Sequence, residues 1–238
     1  MIKENFFPSR AALITVISAC LIVATFMGLR MVFGLFTDFF VKDLQCTITE
    51  FGLAIGIQML MWGMFAPIFG ALADKIGSAK VTILASLFVA LGIYLLYSGP
   101  NTGIFFQINL GLLIGIGLGG TAISIQIAAV GKHFPNKTRG MAIGIVVAMA
   151  SIGYFFSPIY TKFALTNFGW EKTLNTYLYF VLFGMIAAIF LLEVKKEKNI
   201  NGNTKEDNQT LVEALKEAFN HKGFILLIFG FFVCGFNI

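Results

Sequence analysis

The chain has 238 residues, 58% of them hydrophobic, 15% aromatic and 12% charged, with a formal net charge of +5 and a mean hydropathy of +0.85. A soluble domain carries roughly 25% charged residues, about twice this share, so an ordinary soluble fold is excluded. The apolar runs are continuous and helix-length rather than alternating ten-residue segments, which excludes a transmembrane barrel and specifies an all-α membrane protein.

The first predicted span covers residues 11–36 and contains one charged side chain, Arg30, inside FMGLRMVFGLF. Lys3 and Arg10 precede it in the manner of a signal peptide, but the run is far longer than a signal's apolar core, so it is read as a retained span. A charge at the centre of a membrane helix costs upwards of about 2.5 kcal/mol and marks a candidate functional site. Further spans are predicted at 51–73, 81–98, 104–131, 140–161 and 173–192, giving a six-helix domain over 1–194. Residues 195–222 form a polar linker that opens with KKEKNINGNTKEDNQ, a composition that suits a flexible segment. Thr210 and Glu213 then make a capping box, and Leu211, Leu215, Ala218 and Phe219 share one face of a short amphipathic helix. A seventh apolar run starts at Gly223 and is still apolar at Ile238, so residues 223–238 are read as the start of a further span, cut off partway.

Six spans alternate sides and divide the basic residues into two sets. Lys3, Arg10, Lys75, Lys80, Lys132, Lys137, Arg139, Lys195, Lys196, Lys198, Lys205, Lys216 and Lys222 fall on one side, against Lys42, Lys162 and Lys172 on the other. The positive-inside rule makes the first side, with the N-terminus, cytoplasmic. Because the positive charge follows topology and forms no single patch, nucleic acid is not an expected partner. Cys20, Cys46 and Cys234 have no paired spacing, and His133 and His221 lie outside the apolar runs. No metal, no cofactor and no enzymatic chemistry is expected from them.

Gly52 and Gly56, Gly111 and Gly115, and Gly140 and Gly144 are spaced as G-x-x-x-G, which permits close helix contact. The fourth span adds GLLIGIGLGG, residues 111–120, which suits close packing or a helix that flexes. A weak echo links the two triplets of spans, as inverted repeats require: Pro67-Ile68-Phe69 precedes Gly77 and Lys80, and Pro158-Ile159-Tyr160 precedes Gly169 and Lys172. Each proline is read as ending its span.

Between the second and third spans stands GALADKIGSAK, residues 70–80. With Gly70, Asp74, Lys75, Gly77 and Lys80 in place, it resembles the cytoplasmic signature of the major facilitator superfamily, with Ala79 where the family has a basic residue. KHFPNKTRGMAIGI (132–145) is similar to bacterial relatives of monocarboxylate porters and oxalate/formate exchangers, and GFFVCGF (230–236) resembles the opening of their second half. The resemblance runs over residues 10–238 and implies a six-helix bundle of two inverted three-helix repeats, the first half of a twelve-span transporter of the bacterial inner membrane, monomeric when full length and surrounded by lipid. Gly70, Asp74, Gly77, Lys80 and Arg139 are the expected conformational latch, with Arg139 as the partner of Asp74.

In this superfamily the first and fourth spans line a central cavity, which implies that Arg30 faces it. The planar guanidinium suits a carboxylate, held by two hydrogen bonds. Arg30 lies about 10 Å outward of the middle of its span at 1.5 Å per residue, and Gln58 and Tyr154 stand at similar depth, so the three are the candidate substrate-binding residues. Thr121 and Gln126 are weaker candidates, and the competing role for Arg30 is snorkelling to the outer interface. The expected function is secondary transport of a small organic anion, a monocarboxylate, by alternating access. A coupling proton or counter-anion is a further expected partner, with the titrating carboxylate outside these spans. The alternatives are transport of a non-anionic metabolite or drug, an uncoupled facilitator, and a non-transporting sensor or scaffold on the same fold.

Overall fold

A computed structural model describes residues 7–43, 46–99 and 103–191, together with Asn220, Gly223, Ile225 and Leu226, which are helical. The chain divides into two compact units, Met1–Val194 and Lys195–Ile238. The amphipathic helix predicted from Thr210 lies outside the described residues, as does most of the seventh run.

Six helices are long and apolar enough to cross a membrane: Arg10–Asp43, Ile48–Ile76, Ser78–Ser98, Gly103–Gly131, Asn136–Phe168 and Trp170–Ile189, called here the first to sixth spans. No strand occurs among the described residues, so the all-α expectation holds. Two of the helix starts are fixed by local chemistry. Ser9 accepts from the Ala12 amide at 3.1 Å, and Thr47 and Glu50 form a reciprocal capping box, with the Thr47 amide donating to Glu50 at 2.8 Å. Neither cap is part of the sequence expectation, and both extend their spans beyond the apolar run.

Gly77 alone separates the second span from the third, and Gly169 alone separates the fifth from the sixth. Both have positive φ, 103° and 81°, a conformation that only glycine adopts without strain. Each amide closes the preceding helix, Gly77 onto the Ala73 carbonyl and Gly169 onto that of Leu165, while each carbonyl receives the first bond of the next helix. The echoed positions are therefore equivalent corners. The prolines differ from expectation: Pro67 and Pro158 lie inside their helices, which continue to Ile76 and Phe168.

Helix contacts follow the same exchange. The first span packs on the fifth and sixth, the fourth packs on the second and third, and the third packs on the sixth. Swapping the first triplet for the second leaves this pattern unchanged, as a bundle of two repeats demands. The first and fourth spans are the most enclosed, 67% buried each, against 17% for the second and 22% for the fifth. The second and fifth spans thus carry the open faces of the bundle.

Glycines explain how closely the enclosed spans sit. Side-chain carbons at Gly111, Gly115 and Gly119 would meet Ile57, Met61 and Phe65 of the second span at 2.9, 2.8 and 3.0 Å. On the opposite face of the same helix, Gly117 abuts Ala85 of the third span, with its carbonyl 2.7 Å from where a side-chain carbon would stand. The glycine-rich stretch is thus a double packing face. The other two G-x-x-x-G pairs behave differently, since Gly52, Gly56, Gly140 and Gly144 have nothing within 4 Å of such a carbon. They lie on the open second and fifth spans and make no close contact within the bundle.

Candidate functional site

Arg30 stands in the last turn of the α-helical part of the first span, Arg10–Val32, just before a 3₁₀ turn at Phe33–Phe36. Its guanidinium carbon lies 3.9 Å above the centre of the Trp62 ring on the second span, a cation–π contact. One terminal nitrogen, Nη2, donates to the Met59 sulfur at 3.3 Å. The Arg30 Nε and the Trp62 Nε1 are buried and have no hydrogen-bond partner among the described residues. Thioether sulfur is a weak acceptor, and among the described residues the charged head has no oxygen acceptor and no counter-charge.

Tyr154, on the fifth span, donates its hydroxyl to the Met27 sulfur at 3.3 Å. Met27 precedes Arg30 by three residues, so the Tyr154 contact falls about one helical turn from Arg30 along the first span. Among the described residues no hydrogen bond joins Arg30 to Tyr154; each is held by a different methionine. Trp62 is visible in the sequence as an indole three residues after Met59, but nothing there ties it to an arginine on another helix.

Gln58 is placed differently. It is 1% exposed and turns toward the fourth span, where its amide nitrogen donates to the Leu110 carbonyl at 3.2 Å. The fourth span is π-helical over Gln107–Leu113, a turn that lengthens the backbone ladder, and Gln58 supplies a donor to one of its carbonyls. The Gln58 Oε1 and both amide atoms of Asn109, also 1% exposed, have no partner among the described residues.

The weaker candidates hold the fourth span together. That helix breaks at Thr121–Ala122, where Ala122 is extended, and the Thr121 hydroxyl bonds the Gly117 and Leu118 carbonyls at 3.3 Å each. Gln126, fully buried, donates to the Thr82 hydroxyl of the third span at 3.1 Å.

At the end read as cytoplasmic, Asp74 pairs with Lys132 at 3.3 Å, and both side chains are exposed. No ion pair joins Arg139 to Asp74 among the described residues; the arginine stem passes beside Gly131. Gly77 makes the corner described above. Gly70 has open space around it, so it allows no close approach in this conformation, and Lys80 lies exposed on the first turn of the third span. At the opposite end of the bundle, the Trp170 indole donates to Asp43 at 2.8 Å and packs edge-on to Phe40, joining the first span to the sixth. A separate apolar groove of about 250 Å³, between Ile17 and Leu21 of the first span and Phe183 and Ile186 of the sixth, contains none of the candidate residues.

This bundle of six apolar helices, with two equivalent glycine corners and an arginine held between its first and second spans, has the architecture of an integral membrane protein. A family profile described as the Major Facilitator Superfamily matches residues 18–238, and the chain belongs to that superfamily. Among its relatives, a protein described as a probable nitrate transporter, NarT, of Staphylococcus carnosus is 24% identical over 159 residues, covering 66% of this chain and 39% of that protein. Among solved structures, an auto-inhibited POT family peptide transporter aligns with a TM-score of 0.65 at 17% identity, covering 79% of this chain and 39% of its own. The human organic anion transporter MFSD10 aligns with a TM-score of 0.56 at 19% identity, covering 77% and 47%. These structural likenesses concern the fold. The chain spans about two-fifths of the length of the nitrate-transporter relative.

Proposed function

We propose that this six-span unit serves a secondary transporter that moves a small planar oxyanion, a monocarboxylate or nitrate, across the membrane by alternating access. One observation carries the proposal: the sole charge in the middle of the first span is held by an indole face and a sulfur, with its Nε unpaired. An arginine that only snorkelled would extend its head to the interface; this one lies against Trp62 and Met59 of the second span. A carboxylate and nitrate both present coplanar oxygens that match two parallel N–H groups of a guanidinium. The description of NarT as a probable nitrate transporter supports the oxyanion half of this reading, and the 132–145 similarity supports the carboxylate half.

In this proposal Arg30 is the primary anion ligand and Tyr154 a second donor, while Gln58 braces the second span against the fourth. Asp74 and Lys132, near the Gly77 corner, form the latch whose parting accompanies the change of access. The N-terminus is cytoplasmic. Saturable uptake of nitrate or of one carboxylate by cells expressing the full reading frame, lost in Arg30→Ala at matched membrane expression, supports the proposal. Uptake that is unchanged in that variant removes Arg30 from the site.

A further inference from the structure

The Trp62 side chain has two chemical faces, and the stack on Arg30 uses one of them. Its ring carries the guanidinium at 3.9 Å, while its N–H, which lies in the ring plane, has no acceptor among the described residues although the atom is buried. A buried indole N–H ordinarily finds a partner. The Arg30 Nε–H is unpaired in the same way and is one bond from the stacked carbon. Two unsatisfied donors, one from each of two spans, thus stand on neighbouring stacked groups.

Two neighbouring donors are held weakly. Arg30 Nη2 and the Tyr154 hydroxyl each rest on a methionine sulfur, Met59 and Met27, at 3.3 Å. Sulfur accepts a hydrogen bond poorly, so an anionic oxygen outcompetes it. Arg30 Nε, Arg30 Nη2, Trp62 Nε1 and the Tyr154 hydroxyl are therefore each either unpaired among the described residues or bound to an acceptor that an oxyanion displaces.

We propose that the Trp62 indole N–H is a further substrate donor beside Arg30 and Tyr154, so that one oxyanion bridges Arg30 and Trp62, with Met59 as the acceptor it displaces. This rests on the reading of Arg30 as the anion ligand and adds a residue that the resemblance and the sequence do not assign. A bridging anion contacts both spans at once, which is the differential interaction a ligand needs in order to shift a conformational equilibrium. It also selects ligands with at least two oxygens in one plane, since a monatomic anion cannot meet both donors as well.

Trp62→Phe separates the two roles, because it keeps an aromatic face for Arg30 and deletes the N–H. The measurement is initial-rate uptake of labelled nitrate and labelled acetate by cells expressing the full reading frame, for wild type, Trp62→Phe and Arg30→Ala at matched membrane expression. The expected result is a KM raised about ten-fold or more in Trp62→Phe for the transported anion, with kcat within about two-fold, as for a lost hydrogen bond to a charged group. Chloride should compete poorly in the wild type and no less well, relative to the oxyanion, in the variant. A wild-type KM in Trp62→Phe, with uptake abolished in Arg30→Ala, overturns the proposal and leaves Trp62 as a stacking platform. Normal uptake in Arg30→Ala removes the underlying reading, and this proposal with it.

Discussion

Gly153 of the fifth span leaves no room for a side chain beside Ala24 of the first: a carbon added there would sit 2.9 Å from the Ala24 Cα. One turn along, Gly28 and Ser157 meet in the same way, with 3.1 Å from the position of a Gly28 side chain to the Ser157 Cβ. The pairing is small-x-x-x-small on both helices, which brings backbones together where apolar side chains alone give no preference for one another over lipid. Gly153→Val is expected to lower stability by about 1–3 kcal/mol or more, since the obstructing atoms are backbone and cannot turn aside. Gly144→Ala, with open space around it, should be neutral within about 0.5 kcal/mol. Thermal unfolding in detergent of both variants checks the contrast; equal losses would contradict the packing.

The first and sixth spans are joined at Asp43 and Trp170. The 2.8 Å hydrogen bond from indole to carboxylate sits against Phe40, itself fully buried and stacked on Phe36 with centroids 5.5 Å apart. Trp170→Phe keeps the aromatic packing and removes the donor, so a loss of about 1.5–3 kcal/mol is expected for a hydrogen bond to a charged acceptor. An unchanged melting temperature would show that the carboxylate is satisfied by water instead.

Gln58 and Asn109 should respond in opposite directions. Gln58→Leu strips a donor from the Leu110 carbonyl inside the bundle and is expected to cost about 1–3 kcal/mol, with the KM of the transported anion unchanged. Asn109→Leu removes two buried amide atoms that have no partner among the described residues, so stability should hold or rise. A fall in melting temperature for Asn109→Leu would show that a water or ligand is bound to that amide.

The Asp74–Lys132 pair is exposed on both sides, so Lys132→Ala should change stability by less than about 1 kcal/mol. Its effect belongs in the balance between conformations. Cysteine accessibility at the open faces of the second and fifth spans, compared between wild type and Lys132→Ala, reads that balance; identical accessibility would leave the pair without a latch role.

How much of this is legible in the sequence depends on the kind of signal. The cost of burying Arg30 is set by its own charge and its apolar surroundings, so the residue stands out from the amino-acid order alone. Gly77 and Gly169 are visible as echoed positions, but the apolar runs leave them in loops at 74–80 and 162–172, and only the structure shows that one glycine makes each corner. The packing faces are only half visible: G-x-x-x-G marks Gly111 and Gly115 correctly, misleads at Gly52 and Gly140, and misses Ala24 and Ser157, because contact depends on which face a neighbour covers. The roles of Gln58 and Trp62 depend on the π-helical turn at Gln107–Leu113 and on the approach of two helices, which no local pattern encodes. The partner of Asp74 is hidden for a similar reason, since Lys132 lies 58 residues further on and meets it only through the packing of two spans.

The most direct test of the central claim is uptake of labelled nitrate and a panel of labelled monocarboxylates by cells expressing the full reading frame, with Arg30→Ala and Arg30→Lys at matched membrane expression. Anion carriage through Arg30 predicts saturable uptake of at least one planar oxyanion, abolished in Arg30→Ala and only partly retained in Arg30→Lys, which keeps the charge and loses the fork. Equal uptake by all three proteins would contradict it.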